Sequence, residues 1–244
     1  MKIIKRIYFL LFTSFFTAGE VHASIQLNGT RIIYPADERE VSFSMVNNGG
    51  EARLIQSWVD TGNVQEKPDN SSAPFIITPP MVRVDAGKGQ TLRIIFTGKS
   101  MPQDRESIFW LNVLEIPPKP NLSEEEKSYV QMAVRSRIKI FYRPKGLGGG
   151  VESSAEKITW KIKTSGAQSI LSCTNNTPYN VSFSDISLKN APSNRNVSKG
   201  GMCPAKGVAD FTVNGDVSKA EGKLIMTTIN DYGAFKTIET SFSK

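Results

Sequence analysis

Histidine is almost absent from this chain of 244 residues, which has one, His22. His22 falls in a segment that we expect to be removed, so the mature chain would hold no imidazole. Without histidine, Ser-His-Asp and Cys-His constellations are excluded, and zinc loses its usual nitrogen ligand. The sequence therefore predicts a protein that is not an enzyme and that uses no metal or other cofactor.

Long apolar runs are missing beyond the first residues. Lys2, Lys5 and Arg6 precede the apolar run 7–16, and small residues follow at 21–23. This pattern is typical of a secretory signal peptide, here residues 1–23, cleaved near Ala23. About ten apolar residues are too few to span a bilayer. We therefore expect an exported chain with no membrane insertion.

Cysteine and clustered charge are also scarce. Cys173 and Cys203 are the two cysteines. In an oxidising compartment we expect them to form a disulfide, the alternative being two buried thiols. The formal net charge of +7 is not gathered into a long basic run, and no RNA-binding motif is present. The chain is thus not expected to bind nucleic acid.

Amphipathic helical patterns are missing from the first half of the mature chain, where short alternating segments lie between turns. Residues 54–59 predict a strand with Trp58 as a core anchor, and Pro79-Pro80 predicts a kink in an edge strand. Strands follow one another at the spacing of an immunoglobulin-like sandwich. A glycine-rich break at 145–150 indicates a linker. We predict an all-β protein with two immunoglobulin-like β-sandwich domains, residues 24–144 and 151–244.

The stretch from Tyr129 to Pro144 contains no glycine, and its only proline is the last residue. Val130, Met132 and Val134 alternate with less bulky or polar neighbours, which is the pattern of a strand. The stretch is much longer than an ordinary strand. A long edge strand with exposed apolar side chains would aggregate unless a partner protein covered it. We therefore predict that this strand binds to a partner protein.

Two sets of charged residues leave alternatives open. Arg31 and Lys139 each interrupt an apolar strand, so they lie either on a solvated strand face or in a cleft that grips a carboxylate. Glu106, Arg143 and Asp231 are either unrelated surface charges or a salt-bridge set across the linker. The sequence pattern does not choose between these alternatives.

Several motifs bear on the choice, and they span the whole mature chain. They are Pro102–Pro118 (PQDRESIFWLNVLEIPP), Arg137–Pro144 (RIKIFYRP), Ile229–Gly233 (INDYG), Thr30-Arg31, Thr78-Pro79-Pro80 and Thr177-Pro178-Tyr179. With these motifs the chain resembles the periplasmic chaperones of bacterial chaperone–usher pili. The short loop at 117–128 resembles the short-loop branch of that family.

The resemblance implies two sandwich domains at an angle and a function in pilus assembly in the periplasm. It implies that the chaperone donates an edge strand to an incomplete pilus subunit, by position through Val130, Met132 and Val134, before delivery to an outer-membrane usher. It implies that Arg31 and Lys139 anchor the subunit's C-terminal carboxylate. Interdomain salt bridges would fall on Glu106, Arg143 and Asp231, and the Cys173–Cys203 pair would tie strands of the second domain only.

Three points stay open. Lys139 has the opposite parity to Val134, so either the strand twists or bulges between them or the two features face different parts of the subunit. The free protein could associate with itself through the exposed strand. The alternative function is a secreted immunoglobulin-like adhesin or carbohydrate-binding module, which would need exposed aromatic side chains around a shallow site.

Overall fold

The computed structural model describes residues 24–119, 130–165, 168–189, 196–198, 200–214 and 222–243. The predicted signal peptide, residues 1–23, lies outside them, as does most of the predicted short loop. The strands of the first half are β1 (Ile25–Leu27), β2 (Arg31–Pro35), β3 (Glu40–Asn47), β4 (Arg53–Asp60), β5 (Phe75–Thr78), β6 (Met81–Val84), β7 (Gly89–Phe96), β8 (Ser107–Ile116) and β9 (Val134–Arg143). A short 3₁₀ helix, Pro68–Asn70, lies between β4 and β5.

The second half begins with one short helix. Its elements are α1 (Val151–Ala155), β10 (Thr159–Ser165), β11 (Gln168–Asn175), β12 (Val181–Leu188), β13 (Asn196–Ser198), β14 (Gly201–Cys203), β15 (Gly207–Asn214), β16 (Lys223–Ile229) and β17 (Phe235–Ser243). The prediction of an all-β fold in two β units is therefore confirmed.

Two sheets make up the first unit. One has the strand order β1-β3-β7-β5, and the other has the order β2-β9-β8-β4-β6. Alternate residues of each strand point inward, as the two-residue period of a strand requires. Leu92 and Ile94 from one sheet and Leu111 and Ile140 from the other are fully buried in the shared core. The first unit is therefore a two-sheet sandwich. The side chains that point away from the shared core lie on the outer face of each sheet.

The proline pair in this unit separates two strands instead of kinking one. β5 lies at the edge of the four-stranded sheet, whereas β6 lies at the edge of the five-stranded sheet. Proline has no N–H to donate to a ladder, so the chain leaves one sheet at Pro79-Pro80 and joins the other. The predicted single kinked strand is thus corrected to two edge strands of opposite sheets.

The second unit encloses its own core. β12, β13, β14, β16 and β17 pair on one side, and β10, β11 and β15 pair on the other. β17 joins the two sides through a short parallel pairing with β10. Trp160, Leu171, Phe183 and Leu224 are buried between them.

Candidate functional site

β9 separates two kinds of surface. Ile140 and Tyr142 point into the sandwich core and Ile138 packs against it, so the odd-numbered residues between them project from the outer face. The pairing of β9 with β8 runs without a register shift from Val134 opposite Glu115 to Tyr142 opposite Ser107. The strand therefore has no bulge between Val134 and Lys139, and the two residues lie on opposite faces.

The edge of β9 is only half covered. β2 pairs with it in parallel, but only over Lys139–Arg143. Among the described residues, Val134–Ile138 pairs with β8 on one side and with no strand on the other. This part of β9 thus presents backbone N–H and C=O groups that a further strand could pair with.

The apolar residues at the start of this segment are exposed. Val130 is 88% exposed, Met132 is 74% exposed and Val134 is 53% exposed. They are spaced two residues apart, so in an extended conformation they would lie on one face. A row of large apolar side chains in water is what a binding surface presents before its partner arrives.

Regular pairing begins later than the sequence predicted. β9 starts at Val134, whereas the prediction began at Tyr129, which lies outside the described residues. The partner strand β8 ends at Ile116 and is followed by Pro117 and Pro118. A proline has no N–H for a ladder, so the pairing stops opposite Glu115 and leaves Val130 and Met132 beyond it.

Arg31 and Lys139 are brought side by side. They are opposite each other in the β2–β9 pairing, on the outer face that meets the second unit. Arg31 Nη1 donates to the Ile229 carbonyl at 2.9 Å, and Lys139 Nζ donates to Ser182 Oγ at 3.2 Å. Arg31 Nε is buried and has no hydrogen-bond partner.

These two cations are poorly compensated. Within the described residues, neither forms a salt bridge with a carboxylate. Burial, and then the charge of Arg31, lower the pKa of Lys139 from 10.5 to about 8. Burial also lowers the pKa of Arg31, against the opposing effect of Asp231. An arriving anion would relieve this unfavourable electrostatic environment.

Glu106, Arg143 and Asp231 also lie together, with Arg143 at the centre. Arg143 Nε donates to Glu106 Oε1 at 2.7 Å. Its Nη1 and Nη2 donate to the two Asp231 carboxylate oxygens at 2.7 and 2.9 Å. The other Glu106 oxygen accepts from the backbone and side chain of Asn180. The set therefore connects the end of β9 to two loops of the second unit.

Burial dominates the electrostatics of this set. The Glu106 side chain is fully buried. Burial raises the pKa of Glu106, and the hydrogen bonds from Asn180 and the charge of Arg143 offset this effect only in part. The pKa of Arg143 is raised instead, because its ion pairs with Asp231 and Glu106 outweigh the effect of burial.

A second charged network on the outer face was not predicted from the sequence. Arg137 forms a bidentate ion pair with Asp60 and lies over the Trp110 ring, with its Cζ 4.9 Å from the ring centroid. Arg135 lies over the Trp58 ring at 4.8 Å. Trp58 is buried, as predicted for a core residue, and its ring lies under Arg135 beside the main core cluster of the first unit.

The predicted disulfide between Cys173 and Cys203 is confirmed. It joins β11 to β14, with the two Cα atoms 6.2 Å apart, and both residues are fully buried in the second unit. Among the residues described, no cluster of His, Cys, Asp or Glu is suited to hold a metal ion. No helix in the described part of the chain has the length and apolarity to cross a bilayer.

The described residues form two β units, with an uncovered strand edge and exposed apolar side chains beside a basic pair, an arrangement suited to binding a partner through strand pairing. Comparison with known proteins narrows the class of binding protein. Residues 24–148 match the family described as pili and flagellar-assembly chaperone, PapD N-terminal domain. Residues 153–240 match the pili assembly chaperone PapD, C-terminal domain. The chain belongs to the family of pili assembly chaperones.

Relatives from several bacteria agree with this assignment. The chain is 41% identical over 234 residues to chaperone protein MrkB of Klebsiella pneumoniae, covering 95% of this chain and 96% of the relative. It is 38% identical over 232 residues to chaperone protein HifB of Haemophilus influenzae, covering 92% of each. The crystal structure of the YadV chaperone of Escherichia coli superposes with a TM-score of 0.76 at 36% identity, covering 90% of this chain and 100% of that one.

Proposed function

We propose that this protein is a periplasmic chaperone that binds pilus subunits by donating the edge of β9 to them and delivers them to an outer-membrane usher. The observation that carries the proposal is the row of exposed apolar side chains, Val130, Met132 and Val134, leading into an uncovered strand edge. Family membership supports the same function.

The donor segment offers two kinds of interaction at once. The uncovered edge at Val134–Ile138 can add a strand to a sheet through backbone hydrogen bonds, while alternate side chains fill a groove. Burying a large apolar side chain contributes about 1.5–3 kcal/mol. Three such side chains would therefore supply a large part of the affinity, and the backbone pairing would supply direction.

Arg31 and Lys139 are suited to hold a terminal carboxylate. The guanidinium of Arg31 has a buried Nε that lacks a partner, and the Lys139 ammonium contacts only a neutral hydroxyl within hydrogen-bond distance among the described residues. A carboxylate can accept from both cations, and charge-assisted hydrogen bonds are about twice as strong as neutral ones. The carboxylate would thus be a direct counter-ion for the pair, which no carboxylate of the described residues supplies within salt-bridge distance.

The spacing between anchor and donor would set the register. Lys139 lies five positions beyond Val134 on the same strand, a distance of about 17 Å in extended chain. A subunit held at its carboxylate terminus would meet the apolar side chains at one alignment only. A slip of one residue would turn the apolar row away from the groove. Arg143, paired to Asp231 and Glu106, would keep the second unit in place around the anchor.

Co-expression tests the proposal. A pilin encoded in the same gene cluster is produced in the periplasm with wild-type chaperone, with Arg31→Ala or with Lys139→Ala. We expect the pilin to accumulate only with the wild type, while the level of the chaperone itself stays the same. Arg93→Ala is the matched control, because Arg93 forms an exposed ion pair with Glu40 on the other sheet. Equal pilin levels with both anchor variants would contradict the carboxylate anchor.

A further inference from the structure

We propose that Arg135 and Arg137 are positioning residues for strand donation. Each crosses β8 from the uncovered half of β9 and is held by β4 or the loop that follows it. Together they would keep the donor segment in one register with Arg31 and Lys139. This inference rests on the proposed function.

Arg137 is attached most firmly. Its guanidinium forms a bidentate pair with Asp60 at the end of β4, whose side chain is fully buried. Asp60 also accepts from Asn112 Nδ2 at 2.8 Å and from the backbone N–H of Gly62 at 2.7 Å. Burial raises the pKa of Asp60, but these hydrogen bonds outweigh it and leave the pKa below its ordinary value. The carboxylate is therefore charged at neutral pH and holds Arg137 in place.

The turn after β4 is shaped around this pair. Gly62 has a φ of +120°, a backbone conformation that residues with a side chain rarely adopt. A Cβ atom on Gly62 would lie 3.1 Å from the Trp110 ring. The turn thus packs closely against the same ring that lies beneath Arg137. The Arg137 guanidinium is therefore held between the Trp110 ring and the Asp60 carboxylate, and the Gly62 N–H in turn holds that carboxylate.

Arg135 makes a second crossing one pleat nearer the donor residues. Its Nε and Nη2 donate to Asn112 Oδ1 at 2.9 and 2.6 Å, and its Nη1 donates to the Val64 carbonyl at 2.8 Å. The ring of Trp58 supports the guanidinium, and the indole N–H of Trp58 donates to the Glu66 carbonyl at 3.2 Å. In the sequence, Arg135 directly follows Val134, the last of the three apolar donor residues. Its contacts therefore attach β9 beside the donor side chains.

The location of the two arginines explains why they are needed. From Lys139 onward, β9 is held between β2 and β8, but within the described part of the chain Val134–Ile138 has a strand partner on one side only. A strand edge without a second neighbour opens more easily than one inside a sheet. The contacts of Arg135 and Arg137 with β4 and its loop add side-chain interactions to the part of β9 that pairs with β8 alone among the described residues. These side-chain contacts leave the backbone edge of Val134–Ile138 available for pairing. A strand that continued β2 along β9 would cover that edge.

Hydrogen exchange on the free protein tests this without a ligand. In Arg135→Met, we expect the β8-paired amides of Val134–Ile138 to exchange about tenfold faster than in the wild type, because charge-assisted hydrogen bonds are lost. Amides of β3 and β7 should be unchanged. Arg93→Met, which removes an exposed pair on the other sheet, should leave Val134–Ile138 unchanged. Unaltered exchange in Arg135→Met, or wild-type exchange already as fast as in an unfolded chain, would overturn the inference.

Subunit capture separates this inference from the proposed function. Removing Arg137 alone would leave the buried Asp60 charge with only the longer contact to Arg135 Nη2 at 3.7 Å, so Arg137→Met is combined with Asp60→Asn. We expect this double variant, like Arg135→Met, to stay folded and to retain about a tenth of the wild-type capture of the co-encoded pilin. Full capture by both variants would overturn the positioning role while leaving the proposed function intact. Failure of the wild type to capture the pilin would overturn both.

Discussion

The lowered pKa of Lys139 predicts how the affinity for a pilus subunit changes with pH. Burial and the charge of Arg31 lower its pKa from 10.5 to about 8. Lys139 would therefore be about nine-tenths protonated at pH 7 but only about 3% protonated at pH 9.5. A bound carboxylate favours the ammonium and would raise the pKa again, so binding above pH 8 takes up a proton. The affinity should fall about 30-fold between pH 7 and pH 9.5.

The same shift acts on folding in the opposite direction. The unfolded chain keeps Lys139 protonated up to about pH 10.5, whereas the free folded protein releases the proton near pH 8. Stability rises with pH wherever the unfolded state binds more protons. The contribution of Lys139 therefore makes the stability of the free protein rise as the pH increases from about 8 to 10.5, because the cost of burying the ammonium is relieved. A loss of binding in this window would thus not come from Lys139 unfolding the protein.

Calorimetric titration can measure this effect. The ligand is a synthetic peptide of the C-terminal strand of the co-encoded pilin, with either a free carboxylate or a terminal amide. Lys139→Arg keeps its charge throughout the range, so its affinity should change little with pH. The amidated peptide should bind weakly at every pH. A wild-type affinity that stays constant from pH 7 to pH 9.5, or a Lys139→Arg profile that falls equally, would refute the reasoning.

Three further changes test other parts of the structure. Met132→Glu should abolish pilin accumulation while Met132→Leu preserves it, as measured by immunoblot, since a charge cannot enter an apolar groove. Arg143→Met should destabilise the protein by about 3–5 kcal/mol in thermal unfolding, because Glu106 would stay buried without its cation. Reducing the Cys173–Cys203 disulfide, with a sequence separation of 30, should destabilise the second unit alone by about 3–4 kcal/mol in calorimetry.

Alternation along the chain was enough to predict most strands. Polar residues at every second position marked strands such as β3 and β9 because one face of each sheet is buried and the other is not. The two cysteines could form only one intramolecular pair. The opposite parity of Val134 and Lys139 left open whether β9 bulges between them or carries them on different faces, and the continuous pairing of β9 with β8 selects the second alternative.

Other features depend on contacts between distant residues. Arg135 and Arg137 read as ordinary exposed positions of a strand, because their partners Trp58 and Asp60 are more than seventy positions away and lie two strands across the sheet. Nothing local to Asp60 shows that its side chain is fully buried. A usable signal was the recurrence of arginine at every second position opposite a strand that carries Trp110 and Asn112.

The placement of β5 and β6 and the start of β9 share a different cause. In both places a pair of prolines ends the hydrogen-bonded pairing of a strand. The prolines are visible in the sequence. The sheet that the next strand joins is not, because it depends on which strand edges are available for pairing in the folded protein. For the same reason, the basic pair could be interpreted only through family resemblance, because the β2–β9 pairing is parallel and joins segments far apart in the chain.

The central claim is that a subunit receives the edge of β9 and is held at its terminus by Arg31 and Lys139. A crystal structure of the complex with the co-encoded pilin tests it most directly. We predict Val130, Met132 and Val134 in a groove of the subunit, Val134–Ile138 paired with one of its strands, and its terminal carboxylate in contact with both cations. A complex in which the three side chains stay in solvent and the carboxylate lies elsewhere would contradict the account.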